Sequence, residues 1–231
     1  MKNKAHILLV PAVLLTSHVL LRAQQLTPIE LPKPQTTGGK PLMQALKDRR
    51  TTREFKSEKL PLPVLSNLLW AAFGINRPES GKRTAPSARN WQEIDIYVVM
   101  ADGAFVYDAK AHRLNPVGAG DIRAATGGQD FVKDAPVNLV YVADLSKTED
   151  SSPEDQRLYT AVDAGFISQN VYLFCASEGL ATVVRGSVDR PALAQLLKLR
   201  SDQRIVVAQT VGYPKQGCPG PSFSPLRHIG G

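Results

Sequence analysis

The sequence predicts an α+β domain: one sheet with helices packed against it. Three observations carry that expectation. The runs "IDIYVVM" (Ile94 to Met100) and "APVNLVYVAD" are dense in β-branched and aromatic residues, as buried strands are. The stretch "DQRLYTAVDAGFISQNVYLFCASEGL" keeps an unbroken helical pattern and is apolar nearly all round from Ala164 to Ala176. Helical and strand segments also alternate through both hairpin-like and crossover connections. At 231 residues, 43% hydrophobic and 21% charged, the chain has ordinary globular composition, and nothing marks a second domain.

The elements follow in order. "MKNKAHILLVPAVLLTSHVLLRA" pairs a basic start with an apolar core from Ile7 to Leu21 and a small residue, Ala23, ahead of polar Gln24. Residues 1–23 therefore read as a secretory signal peptide, with an uncleaved anchor as the alternative. The apolar run is interrupted by Pro11 and falls short of the ~20 residues a spanning helix needs, so no stable membrane insertion is expected after cleavage. Export, to a bacterial periplasm, is the expectation. Residues 24–40, rich in Pro, Thr and Gly, read as a flexible linker, and the domain proper as 41–231.

"PLMQALKDR" places Pro41 at a first helical turn with Leu42, Ala45 and Leu46 on one face. "LPLPVLSNLLWAAFGI" repeats apolar residues at helical spacing up to Gly74. "AFVYDAKAHRLNPV" reads as a hairpin turning at Ala109 to His112, and "GDIRAATGG" as a short helix. "ATVVRGS" is a strand ending in glycine, "RPALAQLLKL" a helix, and "RIVVAQTVGYP" a last strand.

Composition excludes several classes. Loss of Lys2, Lys4 and Arg22 with the signal lowers the formal charge from +7 to +4, too mild for a general nucleic-acid binder. Cys175 and Cys218 do not make a disulfide framework, and four scattered histidines offer no metal spacing, so no metal is expected. There is no phosphate-cradling G-x-x-x-x-G-K-[ST] loop, no complete dinucleotide fingerprint and no G-x-S-x-G elbow. What remains is "RRTTREF", Arg49 to Phe55, with three arginines and two threonines in five residues. Guanidinium forks suit phosphate. A solvated basic loop after a helix C-terminus is equally compatible with these residues alone. An anion site without a side-chain nucleophile fits an enzyme whose cofactor carries the chemistry.

Four blocks, in order, resemble the FMN-dependent nitroreductase family. "RRTTREF" is similar to its R-R/H-S-x-R/K-x-F opening. "APSARNWQEIDIYVV" is similar to its P-S-x-x-N-x-Q segment, "VDAGFISQNVYLFCASEGLATVVRGS" to its D-x-G-x-x-x-Q-N-x-x-L helix and following strand, and "IVVAQTVGYP" to its closing strand. Within the family, "GAFVYDAKAHRLNPV" resembles the SagB-type branch, whose relatives oxidise azolines in peptides.

The resemblance implies a three-layer fold with a central mixed or antiparallel sheet flanked by helices, and a homodimer with two flavins at the subunit interface. It implies FMN held by Arg49, Arg50, Thr51 and Arg53 at the phosphate and ribityl chain, by Asn90 with Pro86 and Ser87 shaping its turn, and by the backbone at Arg185 and Gly186. Arg227, or Lys215, is a candidate late phosphate contact. No catalytic side chain is implied. The substrate is a small molecule or a peptide. Trp91 stands where the family has a small or polar residue, which leaves the substrate class open. Gln169–Asn170 is expected to be a buried hydrogen-bonded pair, and Trp70, Phe73, Phe166, Tyr172 and Phe174 to be core or dimer packing. A flavin-binding or interaction module without turnover is the alternative to an oxidoreductase.

Overall fold

A computed structural model describes residues 26–215. The signal peptide expected at 1–23 and Arg227 lie outside that range. The described elements run β1 (Ile29–Glu30), α1 (Leu42–Asp48), α2 (Leu62–Phe73), β2 (Ile75–Arg77), β3 (Lys82–Arg83), β4 (Ile94–Met100), β5 (Gly103–Asp108), β6 (Arg113–Ala119), β7 (Val137–Asp144), α3 (Pro153–Glu178), β8 (Ala181–Arg185), α4 (Arg190–Leu196) and β9 (Gln203–Gly212). Seven strands form one sheet in the order β1-β6-β5-β4-β7-β9-β8, while β2 and β3 pair separately.

Every pairing in the seven-stranded sheet is antiparallel. Of the two sheet types the sequence left open, this is the second. The reason lies in the crossover: α3 carries the chain from β7 past one vacant position to β8, and β9 returns between them.

Strand alternation builds two cores, one on each face. Ile94, Ile96 and Val98 of β4, with Leu139, Tyr141 and Ala143 of β7, face a core filled by α2 and α3. Tyr97 and Val99, with Val140 and Val142, face a second, smaller core under α4. Helices, sheet and helix make three layers. All eight residues of β7 are buried, as befits an interior strand covered on both faces.

The helix ends follow local chemistry. At the start of α3, Ser152 Oγ accepts from Asp155 N at 3.1 Å, and Pro153 occupies the first turn. Gly179 closes the helix at φ +71°, with its N–H on Cys175 O, a conformation that favours glycine. The buried side of α3 is Ala164, Ile167, Val171 and Cys175, while Leu158, Val162 and Phe166 lie 55%, 41% and 44% exposed at a spacing of four. The near-continuous apolarity of this helix therefore divides into a face on the sheet and a face on the outside.

The linker expectation for 24–40 is corrected over its described part. Ile29 and Glu30 pair with Leu114 and Arg113 as an edge strand. Leu31 is buried, and its N–H reaches His112 O at 3.3 Å. Ser66 Oγ donates to Pro32 O at 2.6 Å, Gln35 N to Asn67 Oδ1 at 2.8 Å and Lys40 N to Ser177 Oγ at 2.8 Å. Prolines that argued for a free tether leave few N–H donors unmet and suit a strap lying across the surface. Its clasp is His112. Because Ser66 donates to Pro32, His112 Nε2 donates to Ser66 Oγ at 2.7 Å, and Nδ1 accepts from Tyr107 Oη at 3.0 Å.

"GDIRAATGG" forms the short helix expected, of the 3-10 kind, over Arg123–Thr126. Gly127 stops it at once.

Candidate functional site

The arginine segment follows α1 directly. Arg49 caps that helix with its N–H on Ala45 O, and its guanidinium lies over the Tyr172 ring at 5.3 Å. The chain then runs along the outer margin of β8. Thr52 N donates to Thr182 O at 3.0 Å. Tyr172 Oη accepts from Val184 N at 3.1 Å and lies 3.0 Å from Thr51 Oγ1. The phenol oxygen can accept from Val184 N and still pair with the Thr51 hydroxyl. One α3 side chain thus clamps the segment to the strand.

Downstream, the segment meets the end of the last strand. Phe55 bridges Pro214, Lys56 N donates to Tyr213 O at 2.8 Å, and Lys215 N to Glu54 O at 3.3 Å. Phe55 itself is buried, with Phe131 5.4 Å away. Phe55 anchors the segment inward at its end, and the polar residues ahead of it are left at or near the surface. Arg50, Thr51 and Arg53 are exposed and Arg49 half-buried. The structure brings Lys215 beside the segment, so the late cation considered with Arg227 lies in sequence-distant but adjacent backbone.

The strand β8 leads from Thr182, beside the arginines, to Arg185 and Gly186. At about 3.3 Å per residue, four steps cover about 13 Å. Arg185 turns inward: Nε donates to Thr210 Oγ1 at 3.0 Å, Nη1 to Thr126 O at 2.7 Å and Nη2 to Asn138 Oδ1 at 3.0 Å. No carboxylate is among these partners, and burial pulls its pKa down to about 10. A Cβ on Gly127 would stand 1.8 Å from Nη1, so glycine is required there for space. Outside this buried cation opens a cleft of about 520 Å³, lined by Ala125, Gly127, Gly128, Gly186, Ser187 and Val188. The guanidinium is held in a structural network; what Arg185 and Gly186 offer the cleft is backbone.

Pro86, Ser87 and Asn90 occupy a different place. Ala88–Asn90 forms a 3-10 turn with Arg89 and Asn90 at φ +49° and +57°, and Gln92 follows at +49°. Ala88 N donates to Asp163 Oδ2 at 2.9 Å, Gln92 N to Ser87 Oγ at 2.8 Å, and Ser87 Oγ lies 3.2 Å from Glu93 Oε2. Trp91 packs edge-on against Tyr159 at 5.8 Å, beside Arg89 at 5.3 Å. This loop therefore rests on the first half of α3, whereas Thr51 rests on Tyr172. Nine residues of helix separate Asp163 from Tyr172, about 14 Å along the axis. Within one subunit, Asn90 and the arginines do not converge.

Sequence reasoning missed three residues here. Tyr172 reads in sequence as packing, whereas its hydroxyl organises the segment. Glu93 and Asp163 are fully buried carboxyls under the Asn90 loop; Asp163 stood in a quoted motif, but nothing in the spacing signalled a partner. The buried Gln169–Asn170 pair expected from the sequence is corrected: Gln169 is exposed, and half-buried Asn170 alone bridges α3 to α2, with Nδ2 on Ala72 O at 3.3 Å.

The nitroreductase family model matches residues 46–213, from within α1 to the end of β9. This chain belongs to the nitroreductase family. A Ralstonia eutropha protein assigned as a nitroreductase is 44% identical and superposes with a TM-score of 0.78, over 81% of this chain and 90% of that one. A Methanocaldococcus jannaschii protein assigned as a nitroreductase is 31% identical over 163 residues, 66% of this chain and 81% of its own. The NADPH:FMN oxidoreductase of Vibrio harveyi is 20% identical with a TM-score of 0.56, over 81% and 74%, a likeness of fold alone. The nitroreductase-family member described here is accordingly an oxidoreductase by family.

Proposed function

We propose that this protein is an exported, homodimeric, FMN-dependent oxidoreductase. One observation carries the cofactor. The segment from Thr51 to Arg53, with Lys215 beside it, lies along the β8 margin, Thr52 on Thr182 and Thr51 joined through Tyr172 to Val184, and the same strand runs on to Gly186 and its cleft. That sets a cationic flank for a phosphate and a backbone-lined end for a ring on one strand margin. The donor set fits. Forked guanidiniums and a hydroxyl suit a phosphate, and charge-assisted bonds to it contribute roughly 1.5–3 kcal/mol each. The FMN oxidoreductase of similar fold supports the same reading.

When bound, FMN would supply hydride transfer at its N5. The chain's own residues hold the phosphate at Arg49–Arg53, present backbone at Gly186, and set the buried positive charge of Arg185 behind the cleft floor, which favours a more anionic ligand. No side chain is needed as acid or base.

Two features support the homodimer. The Leu158, Val162 and Phe166 stripe and Met43 of α1, 76% exposed, leave apolar surface uncovered on neighbouring helices. A two-fold copy laid antiparallel along α3 would also bring the partner's Asn90 loop to the arginines that lie about 14 Å from it within one subunit.

The SagB-type branch is proposed from the hairpin pattern alone. In this fold those residues are architectural: Asp108 Oδ1 accepts from Lys110 N and Ala111 N at 2.9 Å in the β5–β6 turn, and Tyr107 and His112 clasp the strap. The pattern therefore leaves the substrate, small molecule or peptide, undecided. Export follows from the leader-like start, and with it a donor other than free NAD(P)H.

The test is a titration of purified residues 24–231 with FMN, followed by flavin fluorescence and absorbance. Saturable binding, abolished by R49A/R53A, supports the proposal. A colourless protein indifferent to FMN refutes it.

A further inference from the structure

The loop that carries Asn90 is under local strain and sits on two buried carboxyls. Three of its four residues from Arg89 to Gln92 have positive φ without being glycine. Such backbone persists only where surrounding contacts hold it. The contacts that hold it converge on Glu93 and Asp163: Ala88 N donates to Asp163 Oδ2, and Ser87 Oγ, which accepts Gln92 N, lies against Glu93 Oε2. Both acids are 1% exposed or less. Glu93 Oε1 is buried without a hydrogen-bond donor among the described residues.

Among the described residues the ion pairs leave both acids out, and the cations nearest the loop are engaged elsewhere. Lys147 bonds Asp95 Oδ1 at 3.2 Å and Gln92 O at 3.3 Å. Arg83 bonds Gln92 Oε1 at 2.7 Å and Phe73 O at 3.0 Å. Arg200 bonds Asp144 and Asp202, and Arg89 lies over Trp91. Asp163 from α3 and Glu93 just ahead of β4 hold the same loop, one at Ala88 N and the other at Ser87 Oγ, and the charge of Asp163 opposes ionisation of Glu93. Two adjacent buried carboxylates cannot both be ionised at low cost, and one proton between them removes the repulsion.

We propose that Glu93 and Asp163 share one proton, and that this proton holds the Ser87–Gln92 loop in its strained turn and so positions Asn90 for its ligand. In the held state the Glu93 carboxylic acid donates to the Asp163 carboxylate, which also receives Ala88 N. When that proton leaves to solvent, two like charges face each other and the loop is released. Burial, and then the neighbouring Asp163, push Glu93 up to about 7 from an ordinary 4.5. The sign follows: the native loop retains a proton that an open one gives up, so it is secure at acid pH and is lost as pH rises through about 7. Glu93 and Asp163 are positioning residues. The part of the proposal concerning the ligand rests on the flavin reading above; the part concerning the loop does not.

Trp91 lies inside the loop and supplies a flavin-independent readout. In a W70F background its emission is followed from pH 5 to 9, alongside FMN affinity and thermal unfolding. The expected result is a single transition near neutrality in Trp91 emission, with FMN about tenfold weaker one pH unit above it. E93Q, neutral at every pH, should abolish the transition while keeping the low-pH emission. D163N, which removes the opposing charge, should move it to lower pH. Flat Trp91 emission, or an E93Q profile that still titrates as the parent does, overturns the proposal. A Trp91 transition with pH-independent FMN affinity overturns its ligand half. A normal transition in a protein that never binds FMN refutes the flavin reading and leaves the loop mechanism standing. If E93Q does not fold, D163N alone decides by the direction of its shift.

Discussion

Tyr172→Phe isolates what holds the arginine segment in place. The substitution removes one oxygen and leaves the ring on which Arg49 rests, so the cation–π contact survives. Lost are the acceptor for Val184 N at 3.1 Å and the contact to Thr51 Oγ1 at 3.0 Å. At about 1 kcal/mol net for each bond, the variant loses about 2 kcal/mol in the contacts that tie the segment to α3 and α3 to β8. If the phosphate is bound by arginines that this clamp orders, that loss passes to the ligand: about 1.4 kcal/mol is tenfold, so FMN affinity should fall by up to about thirtyfold. Calorimetric titration of the parent and the variant with FMN measures it, and a thermal melt of the apoprotein reports the structural share. Thr51→Val should reproduce roughly half of the effect. An unchanged FMN dissociation constant in Tyr172→Phe, with a normal melt, would refute the claim that the clamp prepares the site.

The remaining predictions address the scaffold. Gly127→Ala puts a methyl 1.8 Å from Arg185 Nη1 and must displace the guanidinium or the turn; a loss of about 2–4 kcal/mol in denaturant unfolding is expected. Phe166→Asp on the exposed α3 stripe should convert a dimer to monomer in light scattering, without altering the far-ultraviolet spectrum. His112 is lowered by burial, so its neutral form belongs to the folded state; its contribution is present above about pH 6.5 and lost as pH falls. Limited proteolysis should therefore cut residues 26–40 faster below pH 6, and His112→Ala should show that rate at neutral pH.

Much of this architecture was legible because each element obeys one dominant period. Ile94–Met100 and the β7 strand are buried on both faces, so continuous apolar runs identify them regardless of neighbours. Leu62–Phe73 is bracketed by prolines at its start and Gly74 at its end, and its limits follow from those three residues. β1 was not legible: two residues paired to Arg113 and Leu114 have no period, and the segment is held by Leu31 and by side chains 32 to 137 positions away. The same holds for the short β2–β3 pair. At the site, the arginine cluster could be read because it is contiguous. The clamp by Tyr172, the approach of Lys215 and the gathering of Glu93 and Asp163 under one loop could not, since each joins positions with no shared local pattern. Arg185 reads in sequence like any other strand-end arginine, and only the fold reveals that its charge lies among neutral acceptors.

The docked strap has a consequence for anyone trimming this chain. A version begun at residue 41, where the helical pattern starts, would strip the partner from Arg113 and Leu114, uncover the surface beneath Leu31 and leave the hydroxyl of Ser66 without its carbonyl. Bared sheet margins are templates for self-association. Such a shortened protein should clump on concentration while its catalytic parts remain chemically intact, and the fault would be misread as instability of the enzyme itself.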